Sequence, residues 1–189
     1  ASMGGMIALR YAVRKPAIAI ANNRTVRKMV LVGSYAGEIP EYKKKEFYAD
    51  HERIKEVDAR QHGEGVRRLV SSPEKVASYF GSRPENIEGI EPTVAAYVDA
   101  MAQMDWRSYI AVDVAIAHKE DDEPLLNVLH TPTLLVVGED DTLFNVEYQK
   151  ALREKIPGAK AHDVSIIPDA GHLCWFKKPK EFNDVLYRF

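Results

Sequence analysis

The 189 residues include only one cysteine, Cys174, so the chain cannot form an intrachain disulfide. This scarcity is compatible with a reducing compartment, and we expect a cytoplasmic protein. No apolar run reaches the roughly 18 to 20 residues that a membrane-spanning helix needs. Neither sign of charge dominates, with 26 Lys and Arg against 28 Asp and Glu. The composition therefore gives no electrostatic reason to expect a nucleic acid or an anionic membrane as a partner.

Short apolar runs alternate with helical patterns at both ends of the chain. Two of the runs end in glycine and are typical of strands buried on both faces of a parallel sheet, Lys28–Gly33 and Pro132–Gly138. A third strand is predicted at Asp163–Ile167. Helices are predicted at Met3–Val13, which we expect to be buried on most of its surface, at Val146–Ile156, and from Pro179 onward. This alternation indicates an α/β fold in which helices flank a mostly parallel sheet.

The middle of the chain has a different character, because helical patterns dominate it and no strand is evident. Ser72 and Pro73 mark one helix start, with serine as the cap and proline at the first helical position. We therefore expect three segments. Residues 1–36 and 118–189 form the core, and residues 37–117 form a helical cap inserted between them.

Three polar residues lie where a parallel sheet places active sites, at the carboxyl ends of strands or at a helix start. Ser2 precedes the first helix, and Gly4 and Gly5 give the small neighbours that a sharp turn requires. Asp141 and His172 each follow a predicted strand. Taken singly, each has an ordinary interpretation: a helix cap, an acidic turn residue (Glu139 and Asp140 are alternatives), and a loop histidine.

The order of the three residues, serine then aspartate then histidine, is the order found in α/β hydrolases. Ser2-Met3-Gly4-Gly5 resembles the nucleophile elbow of the α/β-hydrolase fold family. The segment from Pro132 to Asp141 resembles its acid strand, and Ala170-Gly171-His172 resembles its histidine loop. The resemblance implies a partial hydrolase fold that starts inside the elbow.

The same resemblance implies the roles of the site residues. Ser2 would be the nucleophile, His172 the base, and Asp141 the group that orients the imidazole. The backbone N–H of Met3 would be one oxyanion donor, and no metal or organic cofactor would be needed. Serine disfavours a dehalogenase or an epoxide hydrolase, since those relatives carry aspartate at the nucleophile position.

The expected substrate is a small ester or lactone, as in lactonase-like and non-haem haloperoxidase-like esterases. The segment Tyr97–Ser108 resembles the oxoadipate enol-lactonase branch. The cap would select the substrate, and Tyr79, Tyr97 and Trp106 are candidates to line the pocket, with helix packing as the alternative. The identity of the substrate stays open.

Complete relatives carry strands ahead of the elbow, and this chain starts at Ala1. We therefore expect weak or no activity from a chain of this length, and self-association through the exposed apolar edge of the Lys28–Val32 strand. The alternative function is a non-catalytic binding or assembly module that keeps the hydrolase architecture.

Overall fold

The computed structural model describes residues 1–14, 26–81 and 89–189, and the chain divides into two compact units. The first unit joins Ala1–Gly37 to Asp121–Phe189, and the second is Glu38–Glu120. Within the described residues the α-helices are, in chain order, α1 Ser2–Arg14, α2 Glu41–Arg60, α3 Glu64–Val70, α4 Pro73–Phe80, α5 Glu91–Ala102, α6 Trp106–Ala117, α7 Val146–Lys155, α8 Cys174–Lys177 and α9 Pro179–Arg188. The described part of the first unit also includes two short 3-10 helices, Glu123–Val128 and Pro157–Ala159.

The first unit is built on a three-stranded parallel sheet. Its strands are β1 Met29–Val32, β2 Thr133–Gly138 and β3 Ser165–Ile167, in the order β1-β2-β3. Val136 pairs with Val32 on one side and with Ser165 on the other. The prediction of a parallel α/β fold is therefore confirmed. The third strand is shorter than predicted, since it begins at Ser165 and not at Asp163.

Successive residues of β2 are buried in different clusters, which places apolar packing on both faces of the sheet. Leu135 packs in a cluster with Leu9 of α1 and Leu152 of α7. Val136 packs in the other cluster, which includes Cys174. Phe182 of α9 packs against this second cluster. Burial of both faces explains why all six residues of β2 are buried and why its sequence is a continuous apolar run.

The predicted extent of burial of the first helix is wrong. In α1 only one stripe is buried, formed by Gly5, Met6, Leu9 and Val13, whereas Ile7 and Tyr11 are 61% and 44% exposed. The buried positions recur every three or four residues, which is the pattern of a helix with one face on the sheet.

The second unit is helical throughout its described residues, 38–81 and 89–120, and these contain no strand. Its core combines Ile54 of α2, Val66 and Val70 of α3, Val98 of α5 and Tyr109 of α6. The predicted cap of α4 is confirmed, because the Ser72 side chain accepts a hydrogen bond from the Lys75 N–H and Pro73 occupies the first turn. Among the described residues, no helix of either unit is both long and apolar enough to cross a membrane.

Candidate active site

Polar residues of the first unit gather at the carboxyl edge of the sheet. Gly33 and Ser34 follow β1, Asp141 follows β2 by three residues, and His172 follows β3 by five. Because all three strands are parallel, these loops emerge at the same edge. The fold therefore collects side chains from distant parts of the sequence in one place.

Asp141 and His172 form a buried carboxylate–imidazole pair. The Nδ1 atom of His172 lies 2.9 Å from Oδ2 of Asp141, and the two residues are only 4% and 3% exposed. The other oxygen of Asp141, Oδ1, accepts hydrogen bonds from the backbone N–H groups of Leu143 and Phe144, both at 2.9 Å. Because Oδ1 is occupied by these two donors, Oδ2 is left to accept from His172, which favours the tautomer of His172 that carries its proton on Nδ1.

The neighbouring acids have other partners. The backbone N–H of Glu139 donates to the Ile167 carbonyl, and that of Asp140 donates to the Ala170 carbonyl. One carboxylate oxygen of Glu139 also accepts a hydrogen bond from the Asp169 N–H at 3.1 Å. Glu139 and Asp140 thus fasten the loop that carries the histidine, while Asp141 is the acid that reaches the imidazole.

Ser2 begins α1 in a strained conformation. Its φ is +47°, a region that residues other than glycine and asparagine rarely adopt. A strained serine at a helix start is one feature of a nucleophile elbow, which also has a strand leading into the serine. Within residues 1–14, 26–81 and 89–189, no hydrogen bond joins the Ser2 hydroxyl to His172. The Ser2 carbonyl accepts a hydrogen bond from the Ser34 hydroxyl at 3.4 Å.

Of the two glycines predicted to accommodate the turn at Ser2, one is sterically required. A β-carbon at Gly5 would lie 1.9 Å from Oγ of Ser34, whereas one at Gly4 would have no described atom within 4 Å. The loop after β1 therefore packs directly under the first turn of α1. Met3 lies in that turn, where backbone N–H groups have no acceptor within the helix.

The surroundings of His172 include residues that sequence reasoning missed. The ring of Phe144 lies 5.5 Å from the imidazole and that of Trp175 lies 6.4 Å away, both in edge-on orientations. Gly33, with φ of +47°, passes close beneath the pair. In the sequence, the close contact of Gly33 with this pair is indicated only by a glycine immediately after a buried strand. That glycine does not show which residues it contacts.

The predicted substrate-binding residues all belong to the second unit and take part in its packing. The rings of Tyr79 and Tyr97 lie 5.3 Å apart, and Tyr97 and Trp106 pack against the helical core. Burial raises the pKa of both tyrosines, and hydrogen bonding between Tyr79 and Tyr109 contributes to the shift at Tyr79. Trp106 also lines a cavity of about 280 Å³ within this unit, together with Asp58, His62 and Met104.

Cys174 lies behind the site and is fully buried. Burial, followed by the negative charge of Asp141, raises the pKa of its thiol to about 12. A thiol of that kind is a poor nucleophile and a poor metal ligand. In the described parts of the chain, no three His, Cys, Asp or Glu side chains are grouped as a metal site would require.

A parallel sheet with apolar packing on both faces and polar loops at its carboxyl edge defines an open-sheet α/β protein. The family model for the alpha/beta hydrolase fold matches residues 1–179. The chain therefore belongs to the α/β-hydrolase fold family.

Solved structures with the same fold include several hydrolases, although no curated protein matches the chain. A thermophilic esterase from Thermogutta terrifontis superposes with a TM-score of 0.75 at 21% identity, over 99% of this chain and 61% of that one. The enol-lactonase from Burkholderia xenovorans LB400 gives 0.74 at 18% identity, over 99% of this chain and 62% of that one. The chain thus spans about three fifths of the length of these structures. At such identities the likeness concerns the fold.

Proposed function

We propose that this chain carries the catalytic residues of a serine hydrolase acting on carboxylic esters or lactones. The observation that carries the proposal is the buried pair of His172 and Asp141, at 2.9 Å, at the edge of the sheet where the strained Ser2 also begins its helix. Membership of the α/β-hydrolase fold family and the esterase and enol-lactonase among the similar structures support this reaction class.

The proposed reaction begins with Ser2. Its hydroxyl oxygen attacks the ester carbonyl carbon while Nε2 of His172 takes the hydroxyl proton. The tetrahedral intermediate places a negative charge on the former carbonyl oxygen, and the N–H of Met3 at the start of α1 donates to it. The intermediate collapses, the alcohol leaves with the proton from His172, and an acyl-serine remains.

A water molecule completes the cycle. His172 removes one proton from the water, the resulting hydroxide attacks the acyl carbon, and collapse returns the proton to the Ser2 oxygen and releases the acid. Asp141 acts throughout by holding the imidazole. Because the Leu143 and Phe144 N–H groups occupy Oδ1, the carboxylate keeps Oδ2 directed at Nδ1, so that the lone pair of Nε2 remains available as the base.

We assign substrate selection to the helical segment, with Tyr79, Tyr97 and Trp106 as candidate contacts. The cavity beside Trp106 has the mixed polar and apolar lining that a small organic ligand would suit. Replacement of Trp106 by alanine is expected to change KM for esters of different acyl length and to leave kcat nearly unchanged. A fall in kcat alone would remove Trp106 from this role.

The decisive test is covalent labelling of Ser2. Intact-mass spectrometry before and after treatment with a fluorophosphonate should show one adduct, absent from the Ser2→Ala variant and retained in Ser108→Ala, which removes an exposed serine of α6. No adduct on a folded chain would reject the proposal and favour the alternative, a binding or assembly module with the hydrolase architecture. The labelling experiment also tests this alternative because, in the described residues, no hydrogen bond joins the Ser2 hydroxyl to His172.

We also propose that the outer edge of β1 pairs with another strand. In the sheet of the described residues β1 has one strand neighbour, β2, so the proposal concerns the backbone of its other edge. The apolar side chains of Met29 and Leu31 are buried and not exposed as expected. Unpaired edges of this kind present free N–H and C=O groups to other chains. Light scattering should find a dimer or larger species, whereas a monodisperse monomer would contradict the proposal.

A further inference from the structure

A single buried amide connects two loops of the candidate site. Gln149 lies on α7 and is completely buried. Its side-chain NH₂ group donates to the Ser34 carbonyl at 2.9 Å and to the Phe144 carbonyl at 3.3 Å. Ser34 belongs to the loop after β1, and Phe144 to the loop that follows Asp141. Both donor hydrogens are thus used on the two loops.

Each of these two loops is joined by one hydrogen bond to a catalytic candidate. Phe144 donates its N–H to Oδ1 of Asp141 at 2.9 Å, so the loop that Gln149 holds is the loop that holds the acid. The Ser34 hydroxyl lies 3.1 Å from the Val32 carbonyl and 3.4 Å from the Ser2 carbonyl. Its single proton is shared between these acceptors, and the second of them is the backbone of the strained turn.

The amide oxygen of Gln149 shows that the two donor bonds, and not the whole amide, account for a polar side chain at this position. Among the described residues nothing donates to Oε1, although this atom is buried. A buried unsatisfied oxygen is unfavourable. An apolar side chain of similar size would fill the same space without this penalty, so the two donor bonds are the feature that an apolar residue could not supply.

We propose that Gln149 is a positioning residue that fixes the acid loop and the loop under Ser2 relative to each other. The inference rests on the proposed hydrolase function for its catalytic consequence. Gln149 touches neither the substrate nor the reacting atoms, and it acts through the Ser34 and Phe144 carbonyls. Loss of its amide would loosen the geometry among Ser2, Asp141 and His172 without removing any of them.

The test compares two substitutions that each remove one buried donor. Gln149→Met keeps the approximate shape and deletes the amide. Thr133→Val is the matched control, because the Thr133 hydroxyl is buried and donates to the Thr131 carbonyl at 2.7 Å at the amino end of β2, away from the site edge. Urea unfolding should show that both variants are less stable than the wild type.

Two local measurements separate positioning from stability. Hydrogen exchange at the Leu143 and Phe144 amides should accelerate by about tenfold more in Gln149→Met than global unfolding accounts for, and should follow global stability in Thr133→Val. Fluorophosphonate labelling should slow by about 10- to 100-fold in Gln149→Met and remain near the wild-type rate in Thr133→Val. If Gln149→Met does not fold, Gln149→Asn, which is one methylene too short to hold both carbonyls, is measured in the same way.

The outcomes also distinguish this inference from the proposed function. Exchange at Leu143 and Phe144 that is the same in the Gln149 variant and the Thr133 control would overturn the positioning role, whatever the labelling shows. A wild-type chain that does not react with the fluorophosphonate would reject the hydrolase proposal, and the exchange data would still report whether Gln149 holds the two loops.

Discussion

The backbone of Gly33 lies against the imidazole of His172 at a distance that leaves no room for a side chain. A β-carbon at Gly33 would be 3.0 Å from Nδ1 of His172 and 2.9 Å from Oδ2 of Asp141. The first strand thus ends in contact with the pair that the other two strands supply. The contact explains why the chain has a glycine at this point.

Gly33→Ala is expected to disturb the site for two reasons. The φ of +47° is unfavourable for alanine, and the added methyl group would push against the imidazole. We expect a loss of about 1 to 3 kcal/mol in the free energy of unfolding and slower labelling of Ser2. Gly63→Ala is the matched control, since Gly63 has φ of +84° but open space around it. Equal labelling rates in the two variants would show that the contact with His172 is unimportant.

Asp141→Asn should abolish most activity with a small change in stability. Asparagine can still accept from the Leu143 and Phe144 N–H groups, but its NH₂ group would then face Nδ1 of His172. That arrangement favours the tautomer with its proton on Nε2, which cannot accept the serine proton. Because a chain of this length is expected to be weakly active, the readout is the rate at which a fluorophosphonate labels Ser2, which should fall by as much as about 10⁴-fold. Asp140→Asn, at a residue that reaches the histidine loop through its backbone, should stay close to the wild-type rate.

The contribution of Asp113 to the stability of the helical unit should fall as the pH rises through the weakly acidic range. Burial raises the pKa of the Asp113 carboxyl to about 6, partly offset by His51 and Lys75, which lower it. Between pH 4 and 6 the folded chain holds a proton that the unfolded chain, with a carboxyl pKa of about 3.9, has already released. The contribution of Asp113 to the free energy of unfolding therefore falls with rising pH across this window.

The variant Asp113→Asn lacks this titration, because its amide resembles the protonated acid. Relative to the wild type it should gain about 1 to 3 kcal/mol in the free energy of unfolding between pH 4 and pH 7. Urea unfolding at several pH values measures the difference, with Asp99→Asn as the control at an exposed aspartate of α5. Identical pH dependence in Asp113→Asn and the wild type would contradict the assignment.

Cys174 should be unreactive in the native chain. With a thiol pKa near 12 and no exposed surface, it carries almost no thiolate at pH 8. Reaction with a chromogenic disulfide reagent at pH 8 should be at least about 100-fold slower in the native state than in urea. Because this is the one cysteine of the chain, the signal has a single source. Complete labelling of the native chain within minutes would show that the thiol is accessible.

The parts of the fold that sequence patterns predicted are those determined by local properties. Buried runs such as Thr133–Gly138 identify parallel strands because both faces must be apolar. Because parallel strands share a carboxyl edge, the sequence alone predicts that Asp141 and His172 lie at the same edge of the sheet. In the sequence, Asp141 was preferred over Glu139 and Asp140 because it is the last acid of the Gly-x-x-Asp string. In the structure Asp141 lies 2.9 Å from His172, and its catalytic role stays a prediction.

What sequence patterns did not predict depends on contacts between distant segments. Gln149 looks like an ordinary polar helix residue, and its burial arises because the loop after β1 packs beside α7. The steric demand at Gly33 likewise comes from His172, which follows a different strand. The exposed side of α1 was not predicted because it carries Ile7 and Tyr11, and apolar or aromatic residues are themselves common on protein surfaces.

The separations along the chain have a consequence for the order in which the molecule folds. Asp141 and His172 are 31 positions apart, whereas Ser34 and Gln149 are 115 apart. Closing the longer loop costs about 1 kcal/mol more in chain entropy. We therefore expect β2, α7 and β3 to form the folding nucleus, with β1 and α1 docking onto it afterwards. Substitutions between Thr133 and His172 should slow folding, while those in β1 should mainly accelerate unfolding.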